Sequence, residues 1–350
     1  MTHQRPTRQR PPESPARRYF ALGSAALCAA PFLAACASKP AAARQLSVGA
    51  LFAGKVDDRG FMESGWRGLE RARIELGVKT TYIDGVAPRR DLLVAALSRL
   101  ASSGPDLVVA HGGQNNEACA EVAAAFPAVR FVVTQGAVTA ANLASYDVLQ
   151  EESAYLGGVL AALTTRTGVV GHMSGIRVRP GLKGRAAYAA GVRATNPQIR
   201  LLTNFSGNQD DNALSKRVAL AQIAGGADVI FTMLNAGRNG VTEACREKGA
   251  RQIGNVIDWV AVDPGVFVAS AIADVSIGVF QSVRDLQDGR FPAGAIRKVG
   301  LANQQAVRLS MAADVPAGVQ ALVVAAAEGI RSGRIQVPEN FDGTEFANPA

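Results

Sequence analysis

Five short segments of this 350-residue chain combine glycine with amide and acidic side chains. They are Gly54–Met62, His111–Asn116, Ser206–Asp211, Leu234–Gly240 and Gly254–Trp259. Glycine lets the backbone turn tightly, while Asn, Gln and Asp supply converging hydrogen-bond donors and acceptors. One such loop needs no function beyond closing a turn or capping a helix. Five, each tied to a strand end, describe a cleft for a small polar ligand. The candidate contacts are Asp58, Phe61, Gln114, Asn115, Gln209, Asp210, Asn235, Arg238, Asp258 and Trp259. Phe61 and Trp259 are the aromatics among them, placed to hold a flat ring between two faces. Among these candidates Arg238 is the one cation, which is too few for a multiply anionic ligand. Catalysis is not expected. The chain lacks G-x-S-x-G, H-E-x-x-H, a P-loop and G-x-G-x-x-G. His111 beside two glycines reads as a hydrogen-bonding loop residue. Asp57-Asp58 and Asp210-Asp211 are neighbours in sequence, so their carboxylates diverge instead of facing one substrate. No metal ligand set or cofactor is expected.

The elements that must position these loops alternate. Apolar runs at 46–52, 80–83, 106–110 and 130–133 read as strands, and helical periodicity falls between them, as in Met62, Trp66, Leu69, Ala72 and Leu76. A stretch with no clear period, 134–150, separates this series from a second one. There the strands are 168–173, 199–204 and 228–232, with helices over 154–163, 182–194 and 214–224. Another apolar segment (266–272) and helices over 275–286 and 317–332 complete the chain. Continuously apolar strands alternating with helices predict parallel sheets covered on both faces. The two series also share a local pattern: Asp106-Leu-Val-Val leads to Glu117-Ala-Cys-Ala-Glu, and Asp228-Val-Ile-Phe leads to Glu243-Ala-Cys-Arg-Glu. The fold class is therefore α/β, two Rossmann-like lobes joined by a hinge. Lobe 1 is expected over 46–133 with 270–300 returning to it, and lobe 2 over 153–265 with part of 300–340. The hinge crosses in 134–152, with further crossings near 258–272 and 300–312. Ligands of such sheets bind beyond the carboxyl ends of the strands.

Composition narrows the class. With 48% hydrophobic and 19% charged residues the chain can bury a sizeable core, which excludes disorder throughout. Its net charge of +8 does not mark nucleic-acid binding, because half of it comes from Arg5, Arg8, Arg10, Arg17 and Arg18 against Glu13. Those arginines precede an apolar stretch, Tyr19–Ala35, too short and too broken by Pro31 to span a membrane, so residues 1–35 read as an export signal. Leu33-Ala34-Ala35-Cys36 resembles the lipobox of bacterial lipoproteins, which implies cleavage before Cys36, its acylation with fatty chains such as palmitate, and a tether over 36–45. Arg17-Arg18-Tyr19-Phe20 also resembles a twin-arginine export motif. Cys119 and Cys245 remain, read as buried free thiols in helices, with a disulfide as the alternative.

Several segments together resemble the basic membrane protein (BMP) family, solute-binding lipoproteins of ABC importers that include purine nucleoside-binding members. They are Asp57-Asp58-Arg59-Gly60-Phe61, Asn142–Tyr146 with Glu151–Leu163, Gly225–Ile230, Asn235–Gly240 and Gly333–Pro338. The likeness spans roughly 46–338 and implies the type I periplasmic-binding clamshell, with a permease and an ATPase as partners. It also implies ribose contacts at positions that here carry Met62, Val256 and Ala273, and an aromatic where Gln209 stands. The expected function is extracytoplasmic binding of a small solute, most simply a purine nucleoside or related compound. A simple sugar, or a membrane-tethered sensor of the same fold, are the alternatives.

Overall fold

The computed structural model describes residues 44–349; the export segment, Cys36 and most of the tether lie outside them. The first series folds as β1 (Ser47–Phe52), α1 (Phe61–Leu76), β2 (Lys79–Ile83), α2 (Arg90–Ser102), β3 (Leu107–His111), α3 (Asn116–Ala125), β4 (Arg130–Thr134) and β5 (Leu143–Val148). The second runs α4 (Gln150–Thr164), β6 (Val169–Ser174), α5 (Arg179–Thr195), β7 (Arg200–Phe205), α6 (Asn212–Ala224), β8 (Val229–Met233), α7 (Arg238–Lys248), β9 (Arg251–Val256) and β10 (Phe267–Ala273). The chain closes with α8 (Ser276–Gln287), β11 (Ile296–Val299), β12 (Val307–Met311) and α9 (Ala317–Arg331).

Two sheets result, ordered β11-β5-β4-β3-β1-β2 and β12-β10-β9-β8-β6-β7. The first is parallel throughout. The second is parallel apart from β12, which runs antiparallel to β10. In each sheet the order reverses direction, and the crevice at such a reversal is where this architecture admits a ligand. Central strands such as β3 and β8 are buried along their whole length, as strands covered by helices on both faces must be. Cys119 and Cys245 are free and buried in the two lobes' helices, and burial pushes both thiols up, Cys245 to about 12.

The chain passes between lobes after Val148, between Ala273 and Ser276, and between Val299 and Val307. The first passage is narrower than the aperiodic stretch 134–152, because β5 occupies part of it. That strand escaped a periodicity reading since its middle is polar: Tyr146 donates its hydroxyl to Asp285 at 2.7 Å, and Asp147 meets Arg179 at 2.9 Å and Lys183 at 3.1 Å. Likewise β10 continues through Ala273, so the second passage lies just beyond 258–272. The passages brace each other. Leu149 donates its backbone N–H to the Val299 carbonyl at 2.8 Å, and Leu301 donates to Glu152 at 2.6 Å. Gln135, at φ 55°, uses both ends of its amide on the backbone of Val148.

Candidate functional site

A cleft of about 670 Å³ opens between the lobes at the carboxyl ends of their strands, within the roughly 300–1,000 Å³ usual for small-molecule sites. Its first wall begins at the N-terminus of α1. Asp58 is nearly buried there, and its carboxylate accepts from the backbone N–H groups of Gly60 (2.8 Å), Met62 (2.9 Å) and Glu63 (3.0 Å). It thereby satisfies the open donors of the helix's first turn, the task Gly60 has no side chain to do. Burial still pushes this carboxyl above its ordinary range, against the pull of the three donors. Asp58 lines the cleft, but its oxygens are committed to α1.

Phe61, the next residue inward, leans on the His111 ring with centroids 4.4 Å apart. His111 donates from Nε2 to the Phe61 carbonyl at 2.9 Å and accepts from the Thr134 hydroxyl at Nδ1, 2.8 Å away. Full burial lowers its pKa to about 4, so the ring is neutral and both nitrogens are occupied. Gly65 makes the arrangement possible, since a Cβ there would sit 2.5 Å from the imidazole. His111 is a platform for Phe61, not a base facing solute.

Gln114 also lines the first wall, folded over Gly112. Asn115 does not. It is fully buried and donates to the carbonyls of His111 (2.9 Å) and Gly112 (3.1 Å), holding the turn that presents Gln114. The second wall carries Asn208, Gln209, Asp210 and Asn235. The Gln209 carbonyl accepts from the N–H groups of Asn235 and Gly237, both at 3.1 Å, and Asp210 accepts from Ala236 at 3.2 Å, so the loops after β7 and β8 form one surface. Met62, Met233, Ile176, Val178 and Pro180 supply apolar lining.

The remaining candidates lie elsewhere, and the expected pairing of Phe61 with Trp259 across a ligand is corrected. Trp259 is 4% exposed, stacked on Phe267 at 5.8 Å, with its Nε1 donating to the Asn255 carbonyl at 3.0 Å. Gly254 leaves room for the indole, which a Cβ would strike. Arg238, 1% exposed, lays its guanidinium 3.4 Å from the indole centroid. Burial lowers its pKa to about 10, leaving it charged and engaged in a cation–π contact. Asp258 accepts from Ser310 at 2.7 Å and borders a separate hollow of about 530 Å³ with Arg59, Glu63 and Arg308. Val256 borders the same hollow at φ 69°, and Ala273 is fully buried.

The sequence reading missed Gln150, Asn208 and Asn255, all of which line the cleft. The glycine-rich loops pointed to the last two. Gln150 follows no such loop, and only its position at the start of α4, just past a lobe crossing, marks it. Among the described residues no group of three or more His, Cys, Asp or Glu could hold a metal ion, and no helix is long and apolar enough to cross a membrane.

The family model for PnrA-like ABC transporter substrate-binding proteins matches residues 45–340. The chain is 26% identical over 316 residues to an ABC transporter nucleoside-binding protein of Lactococcus lactis, covering 82% of this chain and 90% of that one. It is 23% identical over 299 residues to a purine-binding protein of Brucella abortus, covering 84% and 83%. A solute-binding protein of an ABC transporter system from Aeropyrum pernix superposes with a TM-score of 0.75 at 23% identity, over 84% of this chain and 94% of that one.

Proposed function

The chain belongs to the PnrA-like family of ABC transporter substrate-binding proteins, and we propose that it captures a purine nucleoside or a related base in the cleft between its lobes and delivers it to a permease and ATPase. The observation that carries this reading is the lining of the cleft. Six carboxamides, Gln114, Gln150, Asn208, Gln209, Asn235 and Asn255, surround one aromatic face, Phe61. A carboxamide pairs an acceptor with a donor at the spacing that nucleobase edges present, which is why Asn and Gln read adenine so often. The aromatic ring supplies the stacking surface, worth about 1–3 kcal/mol per base. The names of the Lactococcus and Brucella relatives agree with this class. Met62, Val256 and Ala273 themselves offer a sugar no carboxylate or ammonium group; the charged residues lining the cleft are Lys55, Asp57, Asp58 and Asp210. Asp58, Phe61, Gln114, Gln209, Asp210 and Asn235 form the proposed site, with Asn115 positioning Gln114.

Isothermal titration calorimetry against nucleosides, free bases and simple sugars tests the ligand class. Micromolar or tighter binding of a purine compound is expected, and binding of sugars alone would overturn the purine reading. A lipid on Cys36 would hold the protein at the membrane beside its permease, each buried CH₂ contributing about 0.8 kcal/mol. Cys36→Ser should then give unprocessed precursor without acyl incorporation; unchanged processing and membrane retention would refute the anchor.

A further inference from the structure

We infer that Gln150 contacts the bound solute, donating its side-chain amide to a hydrogen-bond acceptor at the hinge end of the cleft; this rests on the solute-binding reading above. Gln150 is 5% exposed, yet it lines the cleft, and its Nε2 is buried with no hydrogen-bond partner. Buried donors are almost always paired, and one left open needs a partner supplied from elsewhere. Gln150 borders the cleft, and a solute seated there would supply that partner once the terminal amide turns toward it.

The backbone around Gln150 is fixed on both sides. Leu149 is bonded to the Val299 carbonyl at 2.8 Å, and the amide of Gln135 clamps the two backbone groups of Val148. Glu152 accepts from Leu301 at 2.6 Å. Two of the three lobe passages are thus tied together where this side chain departs, and a ligand bonded to it would contact the hinge as well as the lobes. On the second wall the Oε1 of Gln209 is likewise buried without a partner, packed against Gly175, and would meet a solute once that amide turns. A solute filling both sites carries an acceptor toward Gln150 and a donor toward Gln209. The lactam and amidine edges of nucleobases combine these groups, while a hydroxyl-only ligand has to orient its protons to imitate them.

The test uses Gln150→Leu, which removes the amide at similar volume, and Gln150→Glu, which keeps the shape but offers no N–H donor when ionised. The probes are inosine, adenosine, hypoxanthine, adenine, ribose and glucose, titrated calorimetrically, with thermal unfolding of the ligand-free proteins measured in parallel. The tightest-binding probe, whatever its class, should lose roughly ten- to a hundredfold in affinity for both variants. Ligand-free Gln150→Leu should melt at or above the wild-type temperature, because an unpaired buried donor is removed. A loss under tenfold, or a lower ligand-free melting temperature, overturns the inference and makes Gln150 a structural residue. If only a sugar binds, the purine reading fails while Gln150 is still tested on that sugar. If no probe binds, the ligand-free melting decides.

Discussion

Two loops of this molecule, 57–62 and 254–259, have similar residue content: an aromatic with glycine and at least one aspartate at the carboxyl end of a strand. The folded chain treats them differently. Phe61 rests on a neutral imidazole and keeps a face toward the cleft, whereas Trp259 is enclosed between Phe267 and the guanidinium of Arg238. The difference lies in what backs each ring. Gly65 admits His111 beneath the first, and Gly254 admits the second ring itself against the sheet. An aromatic beside polar residues can therefore serve a ligand or a buried cation, and only the packing behind it decides.

Truncating the enclosed ring should have the largest effect, and it should fall on stability. Trp259→Ala removes a packed indole and leaves Arg238 buried without its cation–π partner, costing about 3–5 kcal/mol in urea unfolding. Solute affinity of the folded fraction should stay within threefold of wild type. Loss of affinity without loss of stability would place Trp259 in the site and erase the contrast between the loops.

Phe61→Ala should show the converse. Affinity for a purine probe should fall by about 1–3 kcal/mol, roughly ten- to a hundredfold, with a smaller stability change than Trp259→Ala. Equal binding by this variant in calorimetry would remove Phe61 from the site.

The platform under Phe61 gives a pH signature. His111 has its folded pKa lowered from 6.5 to about 4, first by burial, with the bond to the Phe61 carbonyl opposing. The unfolded chain therefore takes up the proton first. The contribution of the neutral ring is complete above about pH 6.5 and is lost as pH falls toward 4, amounting to about 2 kcal/mol by pH 5. Unfolding free energies of wild type and His111→Gln, compared at pH 7 and pH 5, isolate this group from His172, which both proteins keep. The wild type should lose about 2 kcal/mol more than the variant. An equal loss would mean that His111 is not held neutral.

The smallest effect belongs to the other loop's acid. Asp258→Asn keeps an acceptor for Ser310 and lies outside the cleft, so affinity should change less than twofold and stability by about 1 kcal/mol or less. A tenfold loss of affinity would move the site to the hollow beside Asp258.

The alternation of strand and helix was readable because the buried strands β1, β3, β4, β6 and β8 are apolar runs, and glycine-rich loops between them located most of the cleft. What escaped was whatever depends on tertiary partners. The polar middle of β5 is tolerated because Asp285, Arg179 and Lys183 meet it. Val256 takes φ 69° at the end of β9, a backbone turn that its β-branched side chain gives no reason to expect. Arg238 reads as a free cation in a glycine-rich loop, and only the indole beneath it shows why it is buried. Gln150 carries no local signal, since a glutamine opening a helix is ordinary until its amide is found buried and unpaired.

The most direct measurement is a crystal structure of the protein with the solute it retains on purification, or with inosine when none is retained. The account predicts density between the lobes, a ring lying on Phe61, and polar atoms within hydrogen-bond distance of Gln114, Gln209 and Asn235. Density confined to the hollow beside Asp258, Arg59 and Arg308, with the cleft empty, would contradict it.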